Sequence, residues 1–142
     1  MGMLRRVLYV DDDPDLRALA ELALGAVGGL EVTLCPGGEK AVETARRSAA
    51  QLVLLDAVMP GMDGPATLAA LRADPHTAGV PVLFVTALDG AAGEYPALLA
   101  QGAAGIIPKP LDLMGMAEQV RAAWDAIGND LAGVRPVTSR TG

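Results

Sequence analysis

Cysteine occurs once in the 142 residues, at position 35, which rules out a disulfide framework within the chain. As a lone thiol at the end of an apolar run, Cys35 reads as a small buried hydrophobe. Basic side chains are also scarce: 11 Lys and Arg stand against 17 Asp and Glu, for a formal net charge of −6. They are scattered and form no stripe, so neither a phosphate backbone nor an acidic membrane surface is an expected partner. No apolar stretch reaches the length of a membrane span, and the N-terminus lacks a signal-peptide hydrophobic region. Direct nucleic-acid contact and membrane insertion are therefore not expected, and a cytoplasmic location is the natural reading.

What remains is about one ordinary domain's worth of chain, rich in Ala, Leu, Val and Gly and able to bury a good core. Five short apolar runs read as strands: "RVLYV" (6–10), "EVTLC" (31–35), "LVLLD" (52–56), "PVLFVT" (81–86) and "AGIIP" (104–108). Several lack polar alternation, as expected where both faces of a sheet are covered. Helical spacing falls between them. Leu16, Leu19, Ala23 and Val27 form one stripe ended by Gly28 and Gly29; Ala41, Val42 and Ala45 suggest a short second helix. Leu68 and Leu71 mark a third, opening near Pro65, where a missing N–H costs nothing. In "DGAAGEYPALLAQG" (89–102), Gly90, Gly93 and Pro96 predict a fourth helix that starts late, near Glu94, or is irregular. Leu113, Met116, Ala117, Val120, Trp124 and Ile127 form the longest stripe, with Asp112 as N-cap and Gly128 as stop. Five βα repeats predict an α/β fold with a doubly wound parallel sheet over residues 4–128, and 129–142 read as a flexible tail or a truncated linker.

Ligands of such sheets bind beyond the carboxyl ends of the strands. Those ends carry Asp11 and Asp12 after the first strand, Asp56 after the third, Thr86 after the fourth and Lys109 after the fifth. The stretch "LYVDDDPDLR" (8–17) crowds like charge: two carboxylates roughly 5 Å apart repel by about 3 kcal/mol at an effective dielectric near 20. Asp13, before Pro14, has a structural use as a helix N-cap. Asp11 and Asp12 have none, and with Asp56 they form a carboxylate cluster suited to Mg²⁺, a hard ion that takes few carboxylates and keeps several waters. Three carboxylates carry −3, nearly balanced by +2 from the ion and +1 from Lys109. Taken singly, Asp56 could be a turn acid, Thr86 a strand residue and Lys109 a solvated charge; together they are hard to assign to structure alone. His76, in "DPHTAG" (74–79), reads as an exposed loop residue, and Met59, Met62, Met114 and Met116 as loop packing and core.

The pieces "LYVDD", "LVLLDAVMPGMDG", "VPVLFVTA" and "GAAGIIPKP", in this order at these strand ends, resemble the receiver domain of bacterial two-component response regulators, in its single-domain, chemotaxis-receiver-like form. The resemblance covers residue 4 to about residue 128. It implies a flavodoxin-like (βα)5 fold with strand order 2-1-3-4-5. It implies that Asp56 is the phosphoacceptor, attacking the phosphohistidine of a sensor histidine kinase or a histidine phosphotransfer protein. Asp12, Asp56 and the backbone carbonyl of Val58 would hold Mg²⁺ directly, and Asp11 mainly through water. Thr86 would donate to a phosphoryl oxygen, Lys109 would pair with another, and Pro110 falls at a position commonly cis in the family. The implied role is a switch and not an enzyme, passing its signal to a separate downstream effector protein or along a phosphorelay.

Three departures from the family pattern bear on mechanism. Ile106 stands where many receivers carry an aromatic switch residue, so coupling to the output face is expected to use packing without ring rotation. The Gly- and Pro-bearing fourth helix departs from the usual dimer and partner face, and oligomeric state is left open. Val58 and Leu88, two residues after Asp56 and Thr86, cannot orient an attacking water, which predicts a long-lived phosphoryl state. Rival readings fit less well. A receiver-like binding module without phosphorylation would lack part of the acid–Thr–Lys set. A haloacid-dehalogenase-type phosphatase would leave Asp56 unexplained. A flavin carrier would want hydroxyls where the first strand delivers acids.

Overall fold

All five apolar runs form strands of one parallel sheet: β1 (Arg6–Val10), β2 (Glu31–Cys35), β3 (Leu52–Asp56), β4 (Val82–Ala87) and β5 (Gly105–Lys109). They appear in a computed structural model that describes residues 2–87 and 94–133. The strand order is β2-β1-β3-β4-β5, with every neighbouring pair parallel. This is the doubly wound, flavodoxin-like arrangement expected. The central strand β3 is buried at every residue, which is why its sequence shows no polar alternation.

Alternate residues of each strand feed two separate apolar layers. Val7, Tyr9, Leu54, Val85 and Ile107 face the layer closed by α1 (Pro14–Glu21) and α5 (Met116–Gly133). Leu8, Val10, Val53, Leu55 and Phe84 face the other layer, closed by α2 (Ala41–Ser48), α3 (Gly64–Ala73) and α4 (Glu94–Ala100). No helix among the described residues is long and apolar enough to cross a membrane.

Two helices differ from the expected pattern. The chain continues α1 as a π-helical segment, Leu22–Val27, before Gly28. The wider turn rotates the later side chains, so Ala23 and Leu24 are buried while Val27 is 41% exposed and leaves the stripe. In α5, Asp112 does cap a turn, its Oδ1 accepting from Met114 N–H and its carbonyl from Met116 N–H, but the helix proper begins at Met116. Met114, in that turn, is 73% exposed and belongs to neither core. The helix also passes through Gly128 and is described as far as Gly133. A single glycine weakens a helix by only about 1 kcal/mol, too little to stop one already docked. The fourth helix is described over Glu94–Ala100, with Pro96 in its first turn. Gly90 and Gly93 lie outside the described residues.

Candidate functional site

Parallel register brings the strand ends together. Val10 of β1 pairs with Leu55 of β3, so Asp11 and Asp56 emerge side by side. Asp56 is level with Val85 of β4, Thr86 follows, and Ala87 is level with Lys109 of β5. Four neighbouring strands thus present acid, acid, hydroxyl and amine on one edge of the sheet. Asp12 is exposed just beyond Asp11, and one carboxylate oxygen from each of Asp11, Asp12 and Asp56 lies within 4.8 Å of the others.

The two loops carrying the acids are fixed by local chemistry. Asp13 caps α1 by accepting from Asp15 N–H at 2.9 Å and Leu16 N–H at 3.4 Å, with Pro14 as the first helical residue. Arg17 donates to the Asp11 carbonyl at 2.9 Å. After β3, Gly61 adopts φ +71°, a left-handed turn that glycine takes without penalty. Asp63 then caps α3, accepting from Ala66 N–H at 2.9 Å. Gly64 packs so closely under the site that a Cβ there would lie 2.7 Å from both the Asp56 carbonyl oxygen and the Ala57 Cα.

Asp56 is 4% exposed. Its Oδ1 accepts from Val58 N–H at 3.2 Å and from Lys109 Nζ at 3.2 Å. Burial, followed by the negative charge of Asp11, pushes its pKa up to about 6 in spite of those two donors. Asp11 is fully buried; its Oδ1 accepts from Asp13 N–H at 3.0 Å and its Oδ2 from the Tyr9 hydroxyl at 2.8 Å. Lys109 Nζ stands 3.9 Å from that same Oδ2. Burial and then the charge of Asp11 drive the Tyr9 phenol far above its ordinary range, so the O–H is retained and donates. Thr86 is 4% exposed, and among the described residues no side-chain hydrogen bond engages its hydroxyl.

The residues therefore suit a hard divalent cation. The donor set is all oxygen, and Asp56 is held in an electrostatic position that one nearby ammonium does not offset. Val58 donates its backbone N–H to Asp56, and its side chain is 73% exposed. The Lys109–Pro110 peptide bond is cis. Leu88 lies outside the described residues. His76 is exposed beside Asp74, and Cys35 is buried, both as expected. Tyr9 is the member of the site that its sequence position hid. The available signal was spacing, because residues two apart on a strand share a face, and a tyrosine two before an acid can reach it.

Comparison with known proteins bears on the same residues. The family model described as response regulator receiver domain matches residues 7–121, which include all of these strand ends. Response regulator PleD of Caulobacter vibrioides is 38% identical over 120 residues, 84% of this chain and 26% of PleD. The signal transduction histidine-protein kinase BarA of Escherichia coli K12 is 36% identical over 107 residues, 75% of this chain and 11% of BarA. The chain spans only about a quarter or less of the length of these relatives. The crystallised chemotaxis protein CheY4 of Vibrio cholerae shares the fold, with a TM-score of 0.76 at 24% identity over 84% of this chain and 98% of that one. Sheet order, converging acids and a family match running from β1 into α5 agree, and the chain belongs to the response regulator receiver domain family.

Proposed function

We propose that this receiver accepts a phosphoryl group on Asp56 from a phosphohistidine, in a reaction that requires Mg²⁺, and that the change switches its binding to a partner. The observation that carries the reading is the convergence of Asp11, Asp12, Asp56, Thr86 and Lys109 at one sheet edge, with Asp56 buried and oriented. A carboxylate oxygen of Asp56 forms the new O–P bond as the donor's N–P bond breaks and the imidazole leaves. Val58 N–H and Lys109 hold the other oxygen, so the nucleophile is aimed before the donor arrives. Lys109 and the Thr86 hydroxyl then face the oxygens of the transferred group. Asp12, Asp56 and the Val58 carbonyl would hold the ion and Asp11 would orient its water. When bound, the ion neutralises charge on two anions that must approach each other.

The donor is a sensor histidine kinase or a histidine phosphotransfer protein, and the readout is a separate effector protein bound by the phosphorylated form. The chain works as a switch, without turnover of an external substrate, and a cytoplasmic location fits that role. The test is Mg²⁺-dependent labelling by radiolabelled acetyl phosphate. Wild type should take up label only with the cation, Asp56→Asn should fall to background, and equal labelling of the two would remove Asp56 from the role. The same label should persist well beyond seconds, because the Val58 side chain carries no group that can orient an attacking water.

A further inference from the structure

Tyr9 has no part in the reaction just described, yet its hydroxyl is bonded to one of the acids that define the site. The ring is fully buried in the α1/α5 layer, and a buried phenol needs a hydrogen-bond partner. Its partner is Asp11 Oδ2 at 2.8 Å, while Asp13 N–H takes Oδ1 at 3.0 Å. With a donor on each oxygen, the Asp11 carboxylate cannot swing. The same Oδ2 is the oxygen that Lys109 approaches, at 3.9 Å, although its ammonium sits closer to Asp56 Oδ1, at 3.2 Å.

We propose that Tyr9 is a positioning residue for the cation: its O–H holds Asp11 in one rotamer and occupies the lone pair that Lys109 would otherwise take. The ammonium is thereby kept on Asp56, and Asp11 stays open toward the ion and its hydration shell. Hydrogen-bond partners of ligating carboxylates orient them in this way. Without the phenol, the lysine gains a second acid to bridge and competes with the cation for it. The inference rests on the reading that this nest takes a divalent ion.

The experiment is calorimetric titration of the unphosphorylated protein with MgCl₂. Tyr9→Phe keeps the ring and its packing, and it should weaken Mg²⁺ binding by about 10-fold or more, the scale on which outer-shell partners act. Val7→Ala, on the same strand and in the same layer, should lower stability yet leave the affinity within about 2-fold, since it touches no ligand. In a Lys109→Ala background the Tyr9→Phe penalty should shrink to about 3-fold or less, because the competing ammonium is gone. A Tyr9→Phe protein that binds like wild type, or a penalty that is unchanged without Lys109, overturns the proposal. Absence of Mg²⁺ binding by wild type would instead bring down the cation reading itself, and this inference with it.

Discussion

At the scale of one residue, burying the carboxylate proposed as the phosphoacceptor, Asp56, comes at a cost in stability. Its pKa is pushed up to about 6 by burial and by Asp11, and Val58 N–H and Lys109 do not fully offset them. The folded protein therefore binds a proton that the unfolded chain has released between about pH 4 and about pH 6. Stability must fall as pH rises through that window, since the native state there holds more protons than the unfolded one. A displacement of this size corresponds to on the order of 3 kcal/mol. In chelator-treated protein, Asp56→Asn should be more stable than wild type at pH 7, and the advantage should fade toward pH 4. Urea unfolding across that range checks it, and parallel pH curves for the two proteins would contradict it. The acids, Thr86 and Lys109 were legible in the sequence because strand ends in a parallel sheet converge whatever the side chains are. Tyr9 was not, because a ring inside an apolar run reads as core until the acid two residues later is seen on the same face.

Among the elements, α3 matters most to the site because its first residue touches the backbone that carries Asp56. A methyl at Gly64 would meet that backbone and no flexible side chain, so the helix or the strand end must move. Gly64→Ala should cost about 1–3 kcal/mol, as other overpacking does, and should weaken Mg²⁺ binding because Asp56 shifts with its carbonyl. Wild-type stability and affinity in calorimetry would show that the helix end has room to spare. The strands were readable to within a residue because burial on both faces leaves uninterrupted apolar runs bounded by acids, Gly and Pro. Helix details were less so. The π-helical turn after α1 keeps the composition of an ordinary helix, and only the exposure of Val27 reveals the rotated face. The start of α5 was set by the backbone turn at Asp112, and the helix continues through Gly128, neither of which periodicity encodes.

On the scale of the whole molecule, the sheet joins the acidic edge to the helices that cover it. Thr86 and Phe84 alternate onto one face of β4, and Ile106 pairs with Phe84 in the layer that holds Leu98 of α4. That packing gives a route from the acidic strand ends to α4 with no aromatic ring at position 106, along which the proposed phosphorylation would act through two arrangements of the same aliphatic contacts. Beryllofluoride with Mg²⁺ should shift the amide resonances of Ile106, Ala103 and Leu98 as well as those of the site loops; shifts limited to residues bordering the acids would argue against this route. The far edge of the sheet is fastened differently. Gln51 accepts from the backbone N–H groups of Arg5 and Arg6 and donates to the Met3 carbonyl, and Trp124 donates its indole N–H to the Gly2 carbonyl at 2.8 Å. Because this is the chain's single tryptophan, its fluorescence is a gauge of whether the leading segment stays stitched to α5. Emission spectroscopy will follow denaturation faithfully, whereas chemistry at the opposite rim needs a dye or a heavy isotope planted there.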